Sequence, residues 1–121
     1  RDPERVKTLI TDAIASGSPD ALMAATVFSS PLYGILDQGT AVAFGLAACD
    51  LGFDCSSEGE PVRRLCRSRP ECGPGETFQS LMFRLLNRND YEVARAEAET
   101  IRAELLRHEL DFSRFNWTIL N

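Results

Sequence analysis

All four cysteines of the chain lie in one segment, residues 46–75, with the sequence LAACDLGFDCSSEGEPVRRLCRSRPECGPG. Five residues separate Cys49 from Cys55, ten separate Cys55 from Cys66, and five separate Cys66 from Cys72. Zinc sites usually place paired cysteines about two to four residues apart, and exchange catalysts favour a Cys-x-x-Cys motif at a helix start. The spacing therefore favours structural disulfides over a metal or redox site.

The pairing of the cysteines is not fixed by their number, because four cysteines allow three connectivities. A helical pattern ends just before the loop 52–60 and another begins just after it. If these two helices are antiparallel neighbours, Cys49 lies level with Cys66, and Cys55 is left to pair with Cys72. We therefore predict these two bonds and expect reduction to loosen the cysteine-bearing loops before the rest of the chain.

Composition and charge limit the classes of protein that fit. The chain has 121 residues, of which 44% are hydrophobic, enough for the core of a single domain over residues 1–121. Its net charge of −5 argues against general nucleic-acid binding. The two longest runs without a charged residue, 21–36 and 38–49, are too short to span a bilayer.

The cysteine content also bears on localisation. Structural disulfides form in oxidising compartments, so we expect a periplasmic or secreted protein. The chain starts at Arg1 without a methionine or an apolar targeting stretch, as expected for an exported protein whose signal peptide has been removed, with or without an upstream lipid anchor.

Helical start signals and apolar residues at helical spacing cover most of the chain. They predict helices at about 3–16, 19–29, 35–51, 62–68, 78–86 and 90–110, with a capping box formed by Asn89 and Glu92 opening the last. The helix at 35–51 is apolar on all sides and should be buried, and Gly45 within it indicates a close helix crossing. We predict an all-α fold, a disulfide-stapled bundle of five or six helices around this buried central helix.

Twelve of the 13 positive charges are arginines, and four of them lie close together in sequence. Arg63, Arg64, Arg67 and Arg69 predict a basic patch beside the acidic loop 50–60, suited to a protein partner or an anionic envelope component. The simpler interpretation is a solvated helix face. Trp117 lies in an aromatic tail that either covers the core or adds to the contact surface. We predict no cofactor and no metal, and leave the oligomeric state open.

Catalytic candidates are few. His108 is the single histidine, and a histidine on a helix seam is more often a packing residue than a catalytic one. The acidic pairs Asp50 with Asp54 and Glu58 with Glu60 have the residue type for acid–base work, but a solvated acidic rim is the favoured interpretation, because charged side chains are usually exposed. The sequence contains no glycine-rich phosphate loop, GxSxG elbow or HExxH pattern.

The stretches LAACDLGFDC, RRLC and ECGPG resemble uncharacterised exported bacterial proteins, often lipoprotein-like, that share A-C-x-L-G-x-D-C, a downstream L-C and a C-G-P-G turn. The resemblance covers about a quarter of the chain. It implies a helical, disulfide-bonded envelope or secreted protein and no catalytic residues.

Three hypotheses for function follow. The first is a non-catalytic exported binding protein, in particular an inhibitor or immunity protein. The second is a carrier of an apolar small molecule or lipid, and the third is a small hydrolase that uses His108 or a carboxylate pair.

Overall fold

The computed structural model describes residues 3–26 and 36–115, which form α-helices and connecting loops without a β-strand. The helices are α1 (Pro3–Ala15), α2 (Pro19–Ala24), α3 (Gln38–Asp50), α4 (Glu60–Cys66), α5 (Phe78–Leu85) and α6 (Arg88–Leu106), followed by a 3₁₀ turn at Phe112–Arg114. The predicted all-α, disulfide-stapled bundle is confirmed. Helix α2 ends at Ala24, before the predicted residue 29, and α3 begins at Gln38, after its N-cap Asp37, rather than at residue 35. Residues 27–35 lie outside the described residues.

Helix α3 is the centre of the bundle. Every residue from 41 to 48 is buried, so no face of this helix meets solvent over that stretch. It packs mainly against α6 and α2, and α6 turns four buried residues toward the core: Ala94, Ala98, Ile101 and Leu105. Small side chains on both helices allow the two backbones to approach closely. The prediction of a buried central helix is therefore confirmed.

Gly45 marks a close helix crossing in the core. A Cβ atom at this position would lie 2.8 Å from Cζ of Phe78, on α5, and 2.9 Å from Cγ2 of Thr26, just after α2. Both neighbours need the space that the missing side chain leaves. The prediction of a close crossing at Gly45 is confirmed.

The long helix α6 differs at both ends from its predicted bounds. Its N-cap is Asn87, whose side-chain oxygen accepts from the Asp90 N–H at 2.8 Å, so the predicted capping box at Asn89 is wrong. The Asn87 amide also donates to the Asp90 carboxylate at 2.9 Å, and this reciprocal pair starts the helix two residues earlier. The helix ends at Leu106 rather than Leu110.

A Schellman motif explains this early end. The Glu109 N–H donates to the Glu104 carbonyl at 2.8 Å, and the His108 N–H donates to the Leu105 carbonyl at 3.1 Å. His108 lies at the turning point with φ of 56°, a left-handed conformation that favours glycine. Its side chain is exposed, so the predicted place of His108 on the apolar seam is wrong.

Both disulfides are local. The bonds join Cys49 to Cys55 and Cys66 to Cys72, and no free cysteine remains. All four cysteines are thus bonded as predicted, but the predicted pairing is wrong. The prediction assumed that α3 and α4 are antiparallel neighbours, whereas α3 packs on α6 and α2, and α4 packs on α5.

The tail that follows α6 covers the core as far as the structure describes it. Phe115 is buried, and its ring lies 5.1 Å from that of Phe44 on α3. Arg114 fixes the tail to α6 through ion pairs with Glu97, at 2.9 Å, and with Glu104. Trp117 lies outside the described residues.

Candidate functional site

A surface groove of about 700 Å³ lies beside α4 and the loop that follows it. Three of its lining residues are arginines, and the Cys66–Cys72 disulfide forms part of its wall. We call it the arginine groove, and its lining residues are Ser57, Val62, Arg63, Cys66, Arg67, Arg69, Pro70, Cys72, Gly73, Pro74, Gly75 and Glu76.

The start of α4 is held by the loop in front of it. Gly59 is the N-cap, and a Cβ atom there would overlap the backbone carbonyl of Asp54. The Asp54 carboxylate in turn accepts from the Ser56 N–H at 3.1 Å and from the Ser56 hydroxyl at 2.6 Å. These hydrogen bonds hold the pKa of Asp54 below its ordinary range, with a smaller contribution from the charge of Arg63. The loop therefore sets the direction in which α4 leaves it.

The segment after α4 is a covalently closed loop. The Cys66–Cys72 bond joins its ends, whose Cα atoms are 5.8 Å apart. Inside it, the Arg69 N–H donates to the Cys66 carbonyl and the Cys72 N–H donates to the Arg69 carbonyl, each at 3.1 Å. The bond and the two turns restrict the backbone that carries Arg67 and Arg69, so both side chains start from fixed positions.

The arginines of the groove have no acidic partner within the described part of the chain. No carboxylate there lies within ion-pair distance of Arg63, Arg67 or Arg69. Of the described carboxylates only Glu76 lines the groove, and it is already engaged, because Arg84 pairs with it and the Ser80 hydroxyl donates to it at 2.8 Å. The groove is therefore a positively charged surface on a chain of net charge −5.

Arg64 does not share the groove with the other three predicted arginines. It donates to Glu60 at 2.7 Å, one turn earlier on α4, and lines a different, apolar pocket. Helical geometry accounts for the separation, because Arg63 and Arg67 lie on one face and Arg64 is rotated by about 100° from Arg63. The sequence contains this signal, and treating the four arginines as one patch overlooks it.

The apolar groups of the groove were also missed by sequence reasoning. Val62 is buried at its base, and Pro70 and Pro74 lie along the wall. Arginine guanidinium groups bind carboxylates in a bidentate manner, and proline and valine offer apolar contacts between the arginines. The arrangement suits an acidic peptide chain.

A second groove, of about 540 Å³, contains acidic side chains between the start of α3, α6 and the tail. Each of its carboxylates has a structural partner: Asp37 accepts from the Thr40 N–H at 2.9 Å, Asp90 from Asn87, and Glu97 from Arg114. These carboxylates cap helices and anchor the tail.

The predicted catalytic candidates are dispersed. Asp50 pairs with Arg95 of α6, whereas Asp54 accepts from Ser56 and Glu60 accepts from Arg64. His108 lies at the end of α6, a position set by the Schellman motif. Within residues 3–26 and 36–115, no group of three or more histidine, cysteine, aspartate or glutamate side chains is arranged to hold a metal ion.

Two further findings concern membrane-spanning helices and similarity to known proteins. None of the described helices combines the length and hydrophobicity that crossing a membrane requires. Comparison of the chain with protein-family models, with curated proteins and with solved structures finds no match.

Proposed function

We propose that this chain is a non-catalytic, exported binding protein of the bacterial envelope or secretome, and that the arginine groove binds an acidic segment of a partner protein. The observation that carries the proposal is the set of three arginines without acidic partners, Arg63, Arg67 and Arg69, in one groove. An inhibitor or immunity protein for a toxin or hydrolase is its specific form, since such proteins act by binding alone.

The spacing of the arginines indicates the form of the acidic segment. Arg63 and Arg67 are four residues apart, so their Cα atoms are about 6 Å apart along the helix axis. Alternate residues of an extended peptide are about 6.6 Å apart and point to the same side. An extended segment with a carboxylate at every second residue therefore matches the groove.

Rigidity favours binding by such a groove. Ordering a flexible loop on binding costs free energy, and the Cys66–Cys72 bond restricts this loop before the partner arrives. The disulfides also support an oxidising compartment, where bonds of this kind persist.

The binding test uses a fluorescein-labelled peptide of alternating Glu and Gly, with fluorescence anisotropy as the readout. Replacing both Arg63 and Arg67 with Gln removes two exposed ion pairs of about 0.7 kcal/mol each, so we expect about tenfold weaker binding. The control replaces Arg88 and Arg102 with Gln, two exposed positions on α6 with the same total change of charge, and should leave the affinity unchanged. An equal loss in the control variant would show non-specific attraction and refute the proposal.

The partner itself is sought in bacterial periplasmic and culture extracts. A stoichiometric partner should be retained by the wild-type chain and by the control variant without Arg88 and Arg102, and lost by the variant without Arg63 and Arg67. Equal retention of a partner by all three chains, or the failure of the wild-type chain to retain any partner, would contradict the assignment of the groove.

The other two hypotheses differ in their support. The described residues offer no observation in favour of a hydrolase. Three of the four acidic candidates, Asp50, Asp54 and Glu60, are engaged in structural bonds, and His108 terminates a helix. The carrier hypothesis has support from a separate pocket.

A further inference from the structure

An apolar pocket of about 300 Å³ lies between α3, α4 and α5. Its inner lining is buried and comes from Ala41, Val42, Phe78 and Met82. Three leucines that are partly or fully exposed surround it, together with four polar residues, and these seven are Leu65, Leu85, Leu86, Thr26, Gln38, Arg64 and Arg69. The pocket thus has an apolar interior with polar side chains around it.

The volume fits a chain of limited length. An engineered cavity of about 150 Å³ in another protein holds benzene, with six carbons, so twice that volume accommodates roughly ten to twelve carbons. Pockets for small molecules start at about 300 Å³, and this one is at the lower end of that range.

The charge at the mouth is positive. Among the described residues no acidic one lines the pocket, while Arg64 and Arg69 both do. Arg69 has no carboxylate partner within the described residues, and the partner of Arg64, Glu60, is solvent-exposed. Because exposed ion pairs contribute little free energy, Arg64 can exchange Glu60 for an incoming anion at small cost.

We infer that this pocket binds a monocarboxylate amphiphile with an alkyl chain of about ten carbons, its chain against Phe78 and Met82 and its carboxylate between Arg64 and Arg69. The site is distinct from the arginine groove and does not rest on the function proposed for it. Arg69 lines both, Arg64 lines only the pocket, and Arg63 and Arg67 line only the groove. The two sites can therefore be distinguished through Arg64, which lines the pocket, and through Arg63 and Arg67, which line the groove.

The first experiment is isothermal titration of the whole chain with sodium decanoate and with decanol, the uncharged analogue. Replacing both Arg64 and Arg69 with Gln should weaken decanoate binding about tenfold and leave decanol binding unchanged, because only decanoate needs the charges. The control Arg67→Gln should bind decanoate as the wild type does, although it loses affinity for the acidic peptide.

The second experiment locates the alkyl chain without any variant. Intermolecular NOEs should connect decanoate methylene protons to the Met82 methyl group and to the Phe78 ring. Absence of binding, NOEs to a different surface, or decanoate binding that is insensitive to Arg64 and Arg69 would each overturn the inference. None of these results touches the peptide-binding test, which depends on Arg63 and Arg67.

Discussion

Gly45→Ala is the substitution that most directly tests the packing around α3. The added methyl group would meet two ring carbons of Phe78 at 2.8 and 2.9 Å and Cγ2 of Thr26 at 2.9 Å, distances that real Cβ atoms almost never show. Phe78 is buried and has little room to move. Overpacking a core costs about 1–3 kcal/mol, and three short contacts put this case near the upper end.

The intrinsic helix propensity acts in the opposite direction. Alanine is favoured over glycine by about 1 kcal/mol inside a helix, so the net loss for Gly45→Ala should be about 2 kcal/mol. Gly39→Ala is the matched control in the same helix, because a Cβ there meets only Asp37 Oδ1 at 3.5 Å. That variant should gain about 0.5 kcal/mol.

Urea unfolding followed by far-UV circular dichroism measures both free energies, provided that both variants unfold in two states. Adding Phe78→Leu to Gly45→Ala should give a loss smaller than the sum of the single losses by about 1 kcal/mol, because the ring that clashes is gone. If Gly45→Ala is as stable as the wild type, Phe78 of α5 does not pack directly against Gly45, and the reasoning is refuted.

Three other predictions concern helix ends, acid stability and disulfides. His108→Gly should raise the free energy of unfolding by about 1 kcal/mol in urea, because glycine adopts positive φ without strain, while His108→Ala should give no such gain. The pKa of Asp54 is lowered, so its carboxylate stabilises the fold above the unfolded pKa, and this stability is lost as pH falls through the folded pKa. Asp54→Asn should therefore lose less stability than the wild type between about pH 5 and pH 2. Equal losses in the two proteins would contradict this prediction. Tryptic mapping without reductant should link peptide 65–67 to peptide 68–84 and leave an internal bond in peptide 8–63, whereas a link from 8–63 to either of the others would refute the local pairing.

The helices could be predicted from the sequence because their signals are local. The helix predicted at 78–86 matches α5, whose N-cap Thr77 and whose buried residues Phe78, Leu81 and Met82 lie within a few positions of one another. Local signals gave the wrong N-cap for α6, because Asn87 and Asn89 are both candidates for that position. Asn87 rather than Asn89 is the N-cap because Asp90 lies three residues after it and bonds back to it.

The candidate site could be predicted only in part. The four arginines on and after α4 were visible, but their division between a groove and a pocket depends on which helices pack beside α4. Sequence periodicity gives the angle between Arg63 and Arg64 and does not say what each face meets. Leu65 and Met82 come from helices separated by a loop, and only the fold brings them to one pocket.

The disulfide pairing was predicted wrongly because the prediction relied on an assumed packing of α3 beside α4 rather than on local signals. Each bond joins residues six positions apart, the first in the last turn of a helix and the second after the chain has reversed. At α3 the reversal is a Schellman motif, in which the Gly52 N–H donates to Cys49 and the Phe53 N–H to Ala48, so the chain returns toward the helix end. A closed loop of this length restricts the unfolded chain by about 2 kcal/mol, against about 3 kcal/mol for a bond from Cys49 to Cys66. The staples therefore hold the helix ends and the groove loop, while the stability of the bundle depends on the packing of α3 against α6 and α2.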